Sequence, residues 1–511
     1  MEAMDPPQSK SIAFTGVNVI PMDTERILES YTVVVKDGCI SALGPVDEVE
    51  IPADAAVIDE PGAYLIPGLA NMHAHLMEYD PDPRHLILYL AGGVCTVRSL
   101  NSRWENLDWR EKVAQGEWIG PTILLSGPVI VGFPREYRLL ALGIILVSCL
   151  LFGVLLGASY LSGGADLAVE FARQWGLPWL LVGILAAIVI VWRKLIPLTS
   201  LAARFLPQAA IVETPAQART EVKRQAKAGV DLIKIYDHLD RKTYFAGLAA
   251  AREEEIYAAG HILDDPEVVK VEEALESGLD EVVHVDEMIH EFLVGYDPGV
   301  HDWVEWEIAI DRIDDVAGAV AKHRAAVTAT LVTDETVLLG LEDRETLFRR
   351  PEYAYVKAEI IASWGAGGRL VNWIGQEKYR REQLRPLLMQ LTNALHKEGV
   401  PILLGTDSSV QGIVPGFSEH RELELLVEAG LTPFEALAAG TRDAAMIAER
   451  ISADSNWGTM AVGKHADLIL LSKNPLDDIS HTQHILGVMA RGRWFSKADL
   501  DHHIAQYLSD S

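Results

Sequence analysis

Six polar side chains stand in otherwise apolar runs of this sequence, and their types are those that bind metal ions. They are His73, His75, Lys234, His261, His284 and Asp407. His73 and His75 are two positions apart, so on one strand both point to the same face and can hold one ion. The other four fall near the C-terminal ends of separate strand-like runs, where barrel enzymes place their active sites. Burying six such groups without a purpose is costly, and a metal site removes that cost.

The donor types narrow the choice of metal. Imidazole nitrogens and a carboxylate oxygen suit zinc, with manganese, iron or cobalt also compatible. Lys234 is the exception, because an ammonium group repels a cation. Two interpretations stay open from the residues alone. Either carbon dioxide has added to the amine as a carbamate whose oxygens bridge two ions, or Lys234 pairs with an acidic neighbour such as Asp231 or Asp237.

The elements that carry these residues alternate between short apolar runs and helical patterns. The strand-like runs are LANMHAHL, VCTVRSL, TILLSGPVIV, DLIKIYD, YAAGHIL, DEVVHVD, AAVTATLV and PILLGTD. Helical segments at Ala216 to Ala228, Pro266 to Ser277 and Arg381 to Glu398 precede the fourth, sixth and eighth runs. Eight strands with intervening helices predict an α/β fold, a (β/α)8 TIM barrel. Asp334 to Lys378 reads as a long irregular loop that shapes a substrate pocket.

The two ends of the chain have a different sequence pattern. Apolar and polar positions alternate there between turn-forming residues, as in short antiparallel strands. We expect them to form one small β-sandwich that brackets the barrel. The predicted division is an N-terminal β-sandwich segment at 1–64, barrel strands 1–3 at 65–137, an insertion at 138–206, barrel strands 4–8 at 207–450, and a C-terminal β-sandwich segment with the tail at 451–511.

The insertion contains two long apolar stretches. Leu139 to Leu161 has no charged residue and exceeds the roughly 20 residues that cross a bilayer, while Leu177 to Trp192 is near the lower limit. They predict a two-helix transmembrane hairpin after barrel strand 3. Basic residues flank its two ends, so the positive-inside bias places the catalytic body on the cytoplasmic side of a membrane. A lipid bilayer is therefore an expected partner. The formal net charge of −29 excludes nucleic acid as a partner, because a polyanion would be repelled.

The motifs PGLANMHAHL, DLIKIYDHL, LLGTDSS and GTMAVGKHADLILLSKNPL, with the isolated His261 and His284, carry a resemblance. The chain resembles the amidohydrolase superfamily, in the branch of imidazolonepropionase-like and prolidase-like metal-dependent hydrolases. The resemblance implies a first metal on His73, His75 and Asp407, a second on His261 and His284, and a bridging carbamate on Lys234. The chain departs from the family after the third strand, where the segment GPVIVGFPREYR replaces a glycine-rich, histidine-containing loop.

The mechanism that this implies is hydrolysis by a hydroxide bridging two divalent ions, most simply zinc, with Asp407 as catalytic proton shuttle. Tyr236 lies two residues after Lys234 and faces the same interior, so its hydroxyl is a candidate donor to the oxyanion or to a substrate carboxylate. His238, Arg98 and His420 are further candidates for substrate binding.

The predicted reaction is cleavage of an amide C–N bond in a small molecule, an amphipathic N-acyl amino acid or a dipeptide, by a membrane-anchored enzyme. The alternatives are a membrane-anchored dipeptidase of Xaa-Pro type, a hydrolase of cyclic amides or lactones, and a membrane scaffold without turnover. Relatives often assemble into rings, so a homo-oligomer is also expected.

Overall fold

The computed structural model describes residues 11–76, 80–132, 209–263, 267–295, 307–342, 344–365, 376–410 and 412–509. The strands in these residues are β1 Ser11–Val19, β2 Leu28–Lys36, β3 Cys39–Pro45, β4 Ala56–Asp59, β5 Tyr64–Pro67, β6 Leu69–Ala74, β7 Val94–Ser99, β8 Thr122–Leu125, β9 Val129–Val131, β10 Ala209–Ile211, β11 Leu232–Ile235, β12 Tyr257–Gly260, β13 Glu281–Val283, β14 Ala326–Thr328, β15 Ile402–Leu403, β16 Leu468–Leu471, β17 Ile485–Ala490 and β18 Arg493–Ser496.

The α-helices in the same residues are α1 Leu86–Ala91, α2 Asn106–Ala114, α3 Pro215–Ala228, α4 Arg241–Glu253, α5 Val271–Glu276, α6 Ile313–Lys322, α7 Leu331–Glu342, α8 Arg344–Leu347, α9 Ala358–Gly365, α10 Gln376–Lys397, α11 Ser418–Glu428, α12 Pro433–Ala439, α13 Arg442–Ile451 and α14 Lys497–Ser509. Short 3-10 helices are also present, and the one at Val285–Glu291 follows β13 and contributes to the candidate site.

The barrel is built from two parallel sheets that meet at both edges. One has the order β6-β7-β8, and the other runs β9-β11-β12-β13-β14-β15, with β10 outside β9. Parallel bridges between Ala74 and Ser408 and between Ser126 and Leu232 join the two sheets. The strands β6, β7, β8, β11, β12, β13, β14 and β15 therefore form a closed ring of eight. Closure satisfies the backbone groups that open sheet edges would expose.

A third sheet, separate from the barrel, combines strands from both terminal segments. Its order is β18-β17-β16-β5-β1-β2-β3, with β4 beside β1. Antiparallel pairing of β5 with β16, such as Leu65 opposite Leu470, links the two segments. The predicted β-sandwich is thus one continuous hydrogen-bonded sheet. Its inward side chains, including Phe14, Val33 and Met489, form an apolar cluster of their own.

The predicted transmembrane insertion is corrected by the structure. Among the residues that the structure describes, no helix is both long and apolar enough to cross a membrane. The long helix α10, for example, includes Lys378, Arg380 and Arg381 in its sequence. The predicted fold class is therefore wrong in including a membrane hairpin. The predicted location as a two-span membrane protein is wrong for the same reason. The predicted spans, 139–161 and 177–192, lie outside the described residues.

Two further segments differ from their sequence patterns. The run TILLSGPVIV forms the two strands β8 and β9, because Pro128 between them has no N–H for a sheet ladder. The segment expected as an irregular loop contains the helices α7, α8 and α9. The helix α7 packs against both α10 and α11, so most of its surface is covered. It therefore lacks the wide polar face by which an amphipathic helix is recognised in a sequence. The predicted domain limits stay predictions.

Candidate metal centre

His73 and His75 come from the first barrel strand and its immediate continuation. The strand β6 is buried along its whole length, and His73 is 1% exposed. The Nε2 atoms of His73 and His75 lie 3.2 Å apart. The strand alternation that predicted a shared face therefore brings the two nitrogens together.

Asp407 reaches the same point from the adjacent strand, because it follows β15, which lies beside β6 in the closed ring. Its Oδ1 atom lies 3.0 Å from Nε2 of His73 and 2.8 Å from Nε2 of His75. Its backbone N–H donates to the carbonyl of His73 at 2.9 Å. Gly405 makes this approach possible, because a Cβ atom there would collide with Thr328 and press on His73. The closure of the barrel between its first and eighth strands thus assembles this side of the centre.

His284 completes a first group of donors at the end of β13. Its ring centroid lies 4.6 Å from that of His73. Donor atoms of His73, His284 and Asp407 all lie within 4.8 Å of one another. His284 Nδ1 and Thr330 Oγ1 are 2.6 Å apart, a contact that orients the ring and leaves Nε2 for another partner. His284 and Asp407 have φ of 73° and 57°, a left-handed conformation that is uncommon outside glycine and recurs at functional sites.

A second group of donors surrounds His261, which follows β12. Its Nδ1 atom lies 2.9 Å from Oδ1 of Asp237 and 2.9 Å from Oε1 of Glu287. Donor atoms of these three residues also lie within 4.8 Å of one another. The rings of His261 and His284 are 5.1 Å apart between centroids, so the two groups are neighbours. The structure therefore divides the donors into two adjacent sets.

Lys234 projects into this region from β11. It is 1% exposed, and among the described residues its Nζ atom has no hydrogen-bond partner. His73 Nδ1 and His261 Nε2 are likewise buried without partners in the described portion of the chain. A buried polar atom without a partner costs about 1–3 kcal/mol. These orphaned atoms and the nitrogen and oxygen donors fit a site built to hold metal ions.

The electrostatics favour the protonation states that metal binding needs. Burial lowers the pKa of His73 to about 3 and holds the pKa of His284 well below its usual value. Burial alone would raise the pKa of Asp407, but His75 and His73 hold it well below its ordinary range. At neutral pH these imidazoles are neutral and the carboxyl group is ionised, which are the ligand forms.

His261 behaves differently because of its acidic neighbours. Burial alone would lower its pKa, but Asp237 and Glu287 raise it to about 9. Burial raises the pKa of Glu287 to about 7 and lowers that of Lys234 to about 8. A cation that binds to His261 must therefore displace a proton at neutral pH.

The residues predicted to bind substrate fall into two groups. The ring of Tyr236 lies 4.1 Å from that of His261 between centroids, so Tyr236 lies beside the second donor set. His238 lies beyond β11 in a left-handed conformation with φ of 61°. Arg98 is fully buried, with its guanidinium donating to Glu281 and to the carbonyl of Met72. His420 is buried against Thr482, with Nδ1 2.9 Å from Oγ1. The structure therefore brings Tyr236 to the centre and gives Arg98 and His420 partners in the packed interior.

Sequence reasoning missed three contributors to this region. Glu287 and Thr330 were not considered, and Asp237 was considered only as a possible partner of Lys234. Asp237 follows Lys234 by three residues, and Glu287 follows His284 by three. An acidic residue at a fixed short distance after each of two predicted ligands is a signal that could have found both.

A parallel barrel with nitrogen and oxygen donors at the C-terminal ends of its strands has the architecture of a metal-dependent barrel enzyme. Residues 207–495 match the family model described as "Amidohydrolase family". This chain belongs to the amidohydrolase family, which is metal-dependent, and the predicted metal-dependent amide hydrolase is confirmed.

Relatives and solved structures agree with this assignment. An enamidase from Eubacterium barkeri is 36% identical over 81 residues, which are 15% of this chain and 21% of that protein. The chain thus aligns with about a fifth of that relative's length. Bottromycin amidohydrolase superposes with a TM-score of 0.65 at 20% identity, covering 99% of this chain and 91% of that one. A Xaa-Pro dipeptidase with bound methionine gives a TM-score of 0.60 at 15% identity, covering 95% and 100%. At these identities the structural matches establish the fold.

Proposed function

We propose that this amidohydrolase cleaves the amide C–N bond of a dipeptide or an N-acyl amino acid. The observation that carries the proposal is the pair of adjacent donor sets around His73 and His261, with Lys234 buried beside them. In this proposal His73, His75 and Asp407 bind one ion. His261 binds the second together with His284, which lies next to both donor sets, with its ring centroid 4.6 Å from that of His73 and 5.1 Å from that of His261. Zinc suits these nitrogen and oxygen donors, and manganese is the first alternative.

Bound divalent ions would supply activation of water and polarisation of the scissile carbonyl group. Asp407 accepts the proton of the attacking water, because its carboxylate is ionised and lies at the centre of the first donor set. It then passes that proton to the leaving nitrogen. Tyr236 donates its hydroxyl to the substrate carbonyl oxygen or to a substrate carboxylate, as its place beside His261 allows.

We further propose that Lys234 carries a carbamate. Burial lowers the pKa of Lys234 to about 8, so more of the amine is uncharged at neutral pH than in an ordinary lysine. The uncharged nitrogen adds to the carbon of carbon dioxide, one proton leaves, and the product is an anion with two oxygen donors. Its formation replaces a buried cation that has no hydrogen-bond partner among the described residues.

The experiment uses purified protein loaded with zinc or manganese and assayed for release of free amino acid. The panel contains N-acetyl amino acids, dipeptides with and without a C-terminal proline, a cyclic amide and a lactone. We expect Asp407→Asn to lower kcat by about 10²–10⁴-fold on the best substrate, the usual contribution of general acid–base catalysis. Asp454→Asn makes the same charge change at a side chain that is 91% exposed and should leave kcat unchanged.

Different outcomes separate the alternatives. A preference for Xaa-Pro dipeptides would identify a proline dipeptidase, and turnover of only the cyclic amide or lactone would identify those substrates. An Asp407→Asn protein with the parental kcat would contradict the proposed role of Asp407. For Lys234, growth with ¹³C-bicarbonate should give one carbamate carbon signal per chain, absent from Lys234→Met. An unmodified amine in the metal-loaded protein would refute the carbamate.

A further inference from the structure

A small cavity lies beside the first donor set, between the loops that follow the first, seventh and eighth barrel strands. Ser409 and Pro415 line it from the loop after β15, and Val356 lines it from the segment after β14. The hydroxyl of Ser409 donates to the carbonyl of His75 at 3.2 Å. Since Ser409 follows Asp407 by two residues, the Cα atoms of the two are at most about 7 Å apart. The cavity is therefore within reach of a substrate residue whose amide lies at the centre.

The C-terminal helix α14 forms one side of this cavity. Its Tyr507 lines the cavity and donates its hydroxyl to Oδ2 of Asp80 at 2.6 Å. The Nζ atom of Lys357 lies 4.5 Å from the centroid of the Tyr507 ring and 3.0 Å from Oδ2 of Asp82. Asp80 and Lys357 are 8% and 9% exposed. Buried contacts among three separate segments of the chain thus hold this wall in place.

The charges around the cavity balance. Asp80 lies 3.7 Å from Lys357, and Asp82 is paired with both Lys357 and Arg84, at 3.0 Å and 2.7 Å. Two carboxylates thus face two cations, and no unbalanced charge is left for an ionised ligand to neutralise. A charged group that entered the cavity would lose its hydration without gaining a counter-charge. The cavity therefore suits a neutral group.

The cavity is also narrow and mainly apolar. Leu88, Ile360 and Trp364 contribute to its lining, and its volume is about 20 Å³. A single water needs about 10–15 Å³ by this measure, so there is room for a group of about one or two non-hydrogen atoms. Trp364 is 1% exposed, and its ring packs edge-on against Tyr353 with centroids 5.9 Å apart, which holds the indole in place. A small side chain fits this space, and a leucine or phenylalanine side chain does not.

One acceptor in the lining lacks a partner among the described residues. His85 is 3% exposed and lines the cavity, and its Nδ1 lies 2.6 Å from the carbonyl of Asp82, to which it donates. Burial lowers the pKa of His85, so at neutral pH the ring carries one proton and Nε2 is an acceptor. Nε2 is buried, and nothing in the described part of the chain donates to it. Since an unpaired buried acceptor is costly, an occupant that brings a hydroxyl group is favoured over one of similar size without it.

We propose that this cavity binds the substrate side chain next to the scissile amide and selects serine, whose small hydroxyl side chain donates to Nε2 of His85. This inference rests on the proposed function, because it names the substrate class of the same centre. Alanine and glycine fit the space but leave the acceptor unpaired, so they rank second. Larger side chains are excluded by Trp364, and charged ones find no counter-charge.

The first test measures kcat/KM of the full, metal-loaded chain on two dipeptide panels, Gly-Xaa and Xaa-Gly, in which Xaa is serine, alanine, leucine or aspartate. The panel with the stronger dependence on Xaa identifies the side of the scissile bond that the cavity serves. In that panel we expect serine to exceed alanine by about 10–100-fold, the effect of pairing a buried acceptor. Leucine and aspartate should be poorer than alanine. Equal kcat/KM for all four residues in both panels would overturn the proposal.

The variant His85→Phe tests the acceptor, because it removes Nε2 but keeps an aromatic ring beside Trp109. The ratio of kcat/KM for serine to that for alanine should fall to about one, since the hydroxyl loses its partner. The ratio for leucine to alanine should stay as in the parent. A merely structural role of His85 would lower kcat/KM for serine and alanine together. A variant that keeps the parental preference for serine therefore contradicts the assignment.

The variant Trp364→Leu tests the size limit by widening the cavity. We expect the ratio of kcat/KM for leucine to that for alanine to rise by about 10-fold, the discrimination that a methylene gives in an apolar pocket. The control Trp457→Leu makes the same change at a tryptophan that is 4% exposed in a separate apolar cluster, and it should keep the parental ratios. Should Trp364→Leu fail to fold, Ile360→Ala widens the same cavity with the same expectation. Parental ratios in a folded variant would refute the size limit.

Failure of the proposed function would give a different result. If no dipeptide is hydrolysed, the proposed substrates are wrong, and calorimetry of glycylserine and glycylalanine binding to the parent and to His85→Phe still tests the cavity. Tighter binding of glycylserine by the parent alone supports the assignment, and equal binding of both dipeptides contradicts it. In crystals of Asp407→Asn soaked with the serine dipeptide, the hydroxyl should lie within about 3.2 Å of Nε2 of His85. A water on that atom, with the serine side chain elsewhere, would overturn the inference and leave the proposed function standing.

Discussion

Glu419 is a carboxyl group that is fully buried in the layer supporting the first donor set. Asn71 donates to its Oε1 atom at 2.6 Å and accepts the backbone N–H of His73 at 2.9 Å. The same Nδ2 atom of Asn71 lies 2.9 Å from Oγ1 of Thr406 and 3.2 Å from Oγ of Ser408, on either side of Asp407, and its second hydrogen is available to either hydroxyl. One buried amide thus holds the strand ends that carry both His73 and Asp407. Such partners fix the position of metal-binding residues without touching the metal.

Glu419 should make stability depend on pH in a defined direction. Burial raises its pKa from 4.5 to about 7, so the folded state binds its proton more tightly than the unfolded state does. The resulting stabilisation is complete below about pH 4.5 and is lost as the pH rises through 7. The difference corresponds to roughly 3 kcal/mol.

The variant Glu419→Gln keeps the acceptor for Asn71 and removes the titration. The free energy of unfolding, measured by urea denaturation from pH 4.5 to 8, should fall in the parent relative to this variant by up to about 3 kcal/mol. Other titrating groups are common to both proteins and cancel in the comparison. Parallel pH profiles for parent and variant would show that Glu419 does not titrate in this range.

The residues of the first donor set could be predicted from the sequence because strand geometry is local. His73 and His75 share a face by their spacing, and the motif around Asp407 ends an apolar run. The positions of Asp237 and Glu287 could not be derived in the same way. They depend on how β11, β12 and β13 stand beside one another, which no local pattern specifies.

At the scale of elements, a buried ion pair connects strands that face each other across the interior of the barrel. Arg98 on β7 is bonded to Glu281 on β13, and both side chains are 0% exposed. Thr328 on β14 and Tyr257 on β12 donate to the same carboxylate, at 2.6 Å and 3.1 Å. Four barrel strands therefore meet at one carboxylate. This network gives Arg98 a structural role in the barrel interior, and its predicted role in substrate binding stays a prediction.

Removal of one member of this ion pair should lower the stability strongly, and removal of both members should restore most of it. Arg98→Met leaves Glu281 buried without its counter-charge, and we expect the free energy of unfolding to fall by about 3–5 kcal/mol. The double variant Arg98→Met with Glu281→Leu should recover most of that loss, because a buried ion pair can be replaced by apolar groups at little cost. Chemical denaturation followed by circular dichroism measures all three proteins. A loss below about 1 kcal/mol in the single variant would show that Glu281 is compensated by other groups.

The elements themselves were predictable to different degrees. Runs such as DLIKIYD and DEVVHVD are apolar because parallel barrel strands are covered on both faces, and they mark β11 and β13 directly. The helix α7 gave no such signal, since it is covered by other helices. The two apolar stretches were interpreted as membrane spans by length and hydropathy alone, and the described helices gave that interpretation no support.

For the whole molecule, metal binding and folding should be coupled. Asp237, Glu287 and Asp407 place three carboxylates in one region, and a cation relieves their mutual repulsion. Dialysis against a chelator should therefore lower the unfolding temperature by several degrees, and added Zn²⁺ or Mn²⁺ should restore it. An ion present at 1,000 times its Kd contributes about 4 kcal/mol. Scanning calorimetry checks this.

The variant His73→Asn, in which the first donor set is incomplete, tests whether the effect of the chelator comes from the candidate metal centre. Its unfolding temperature should respond less to the chelator than that of the parent. Equal unfolding temperatures for the parent with and without metal would contradict the coupling. The predicted homo-oligomer stays a prediction, and size-exclusion chromatography with light scattering on the same samples measures it.

The pairing of β5 with β16 has a consequence for how the protein is made. The strand that contains Leu65 cannot pair with β16 until Leu470, about 400 residues later in the chain, has been synthesised. At the usual speed of synthesis, about 5–20 residues per second, the delay is roughly 20–80 s. Throughout that interval the nascent N-terminal strands present an unpaired apolar edge on the ribosome. A holding chaperone that shields this edge during translation should therefore increase the yield of native enzyme.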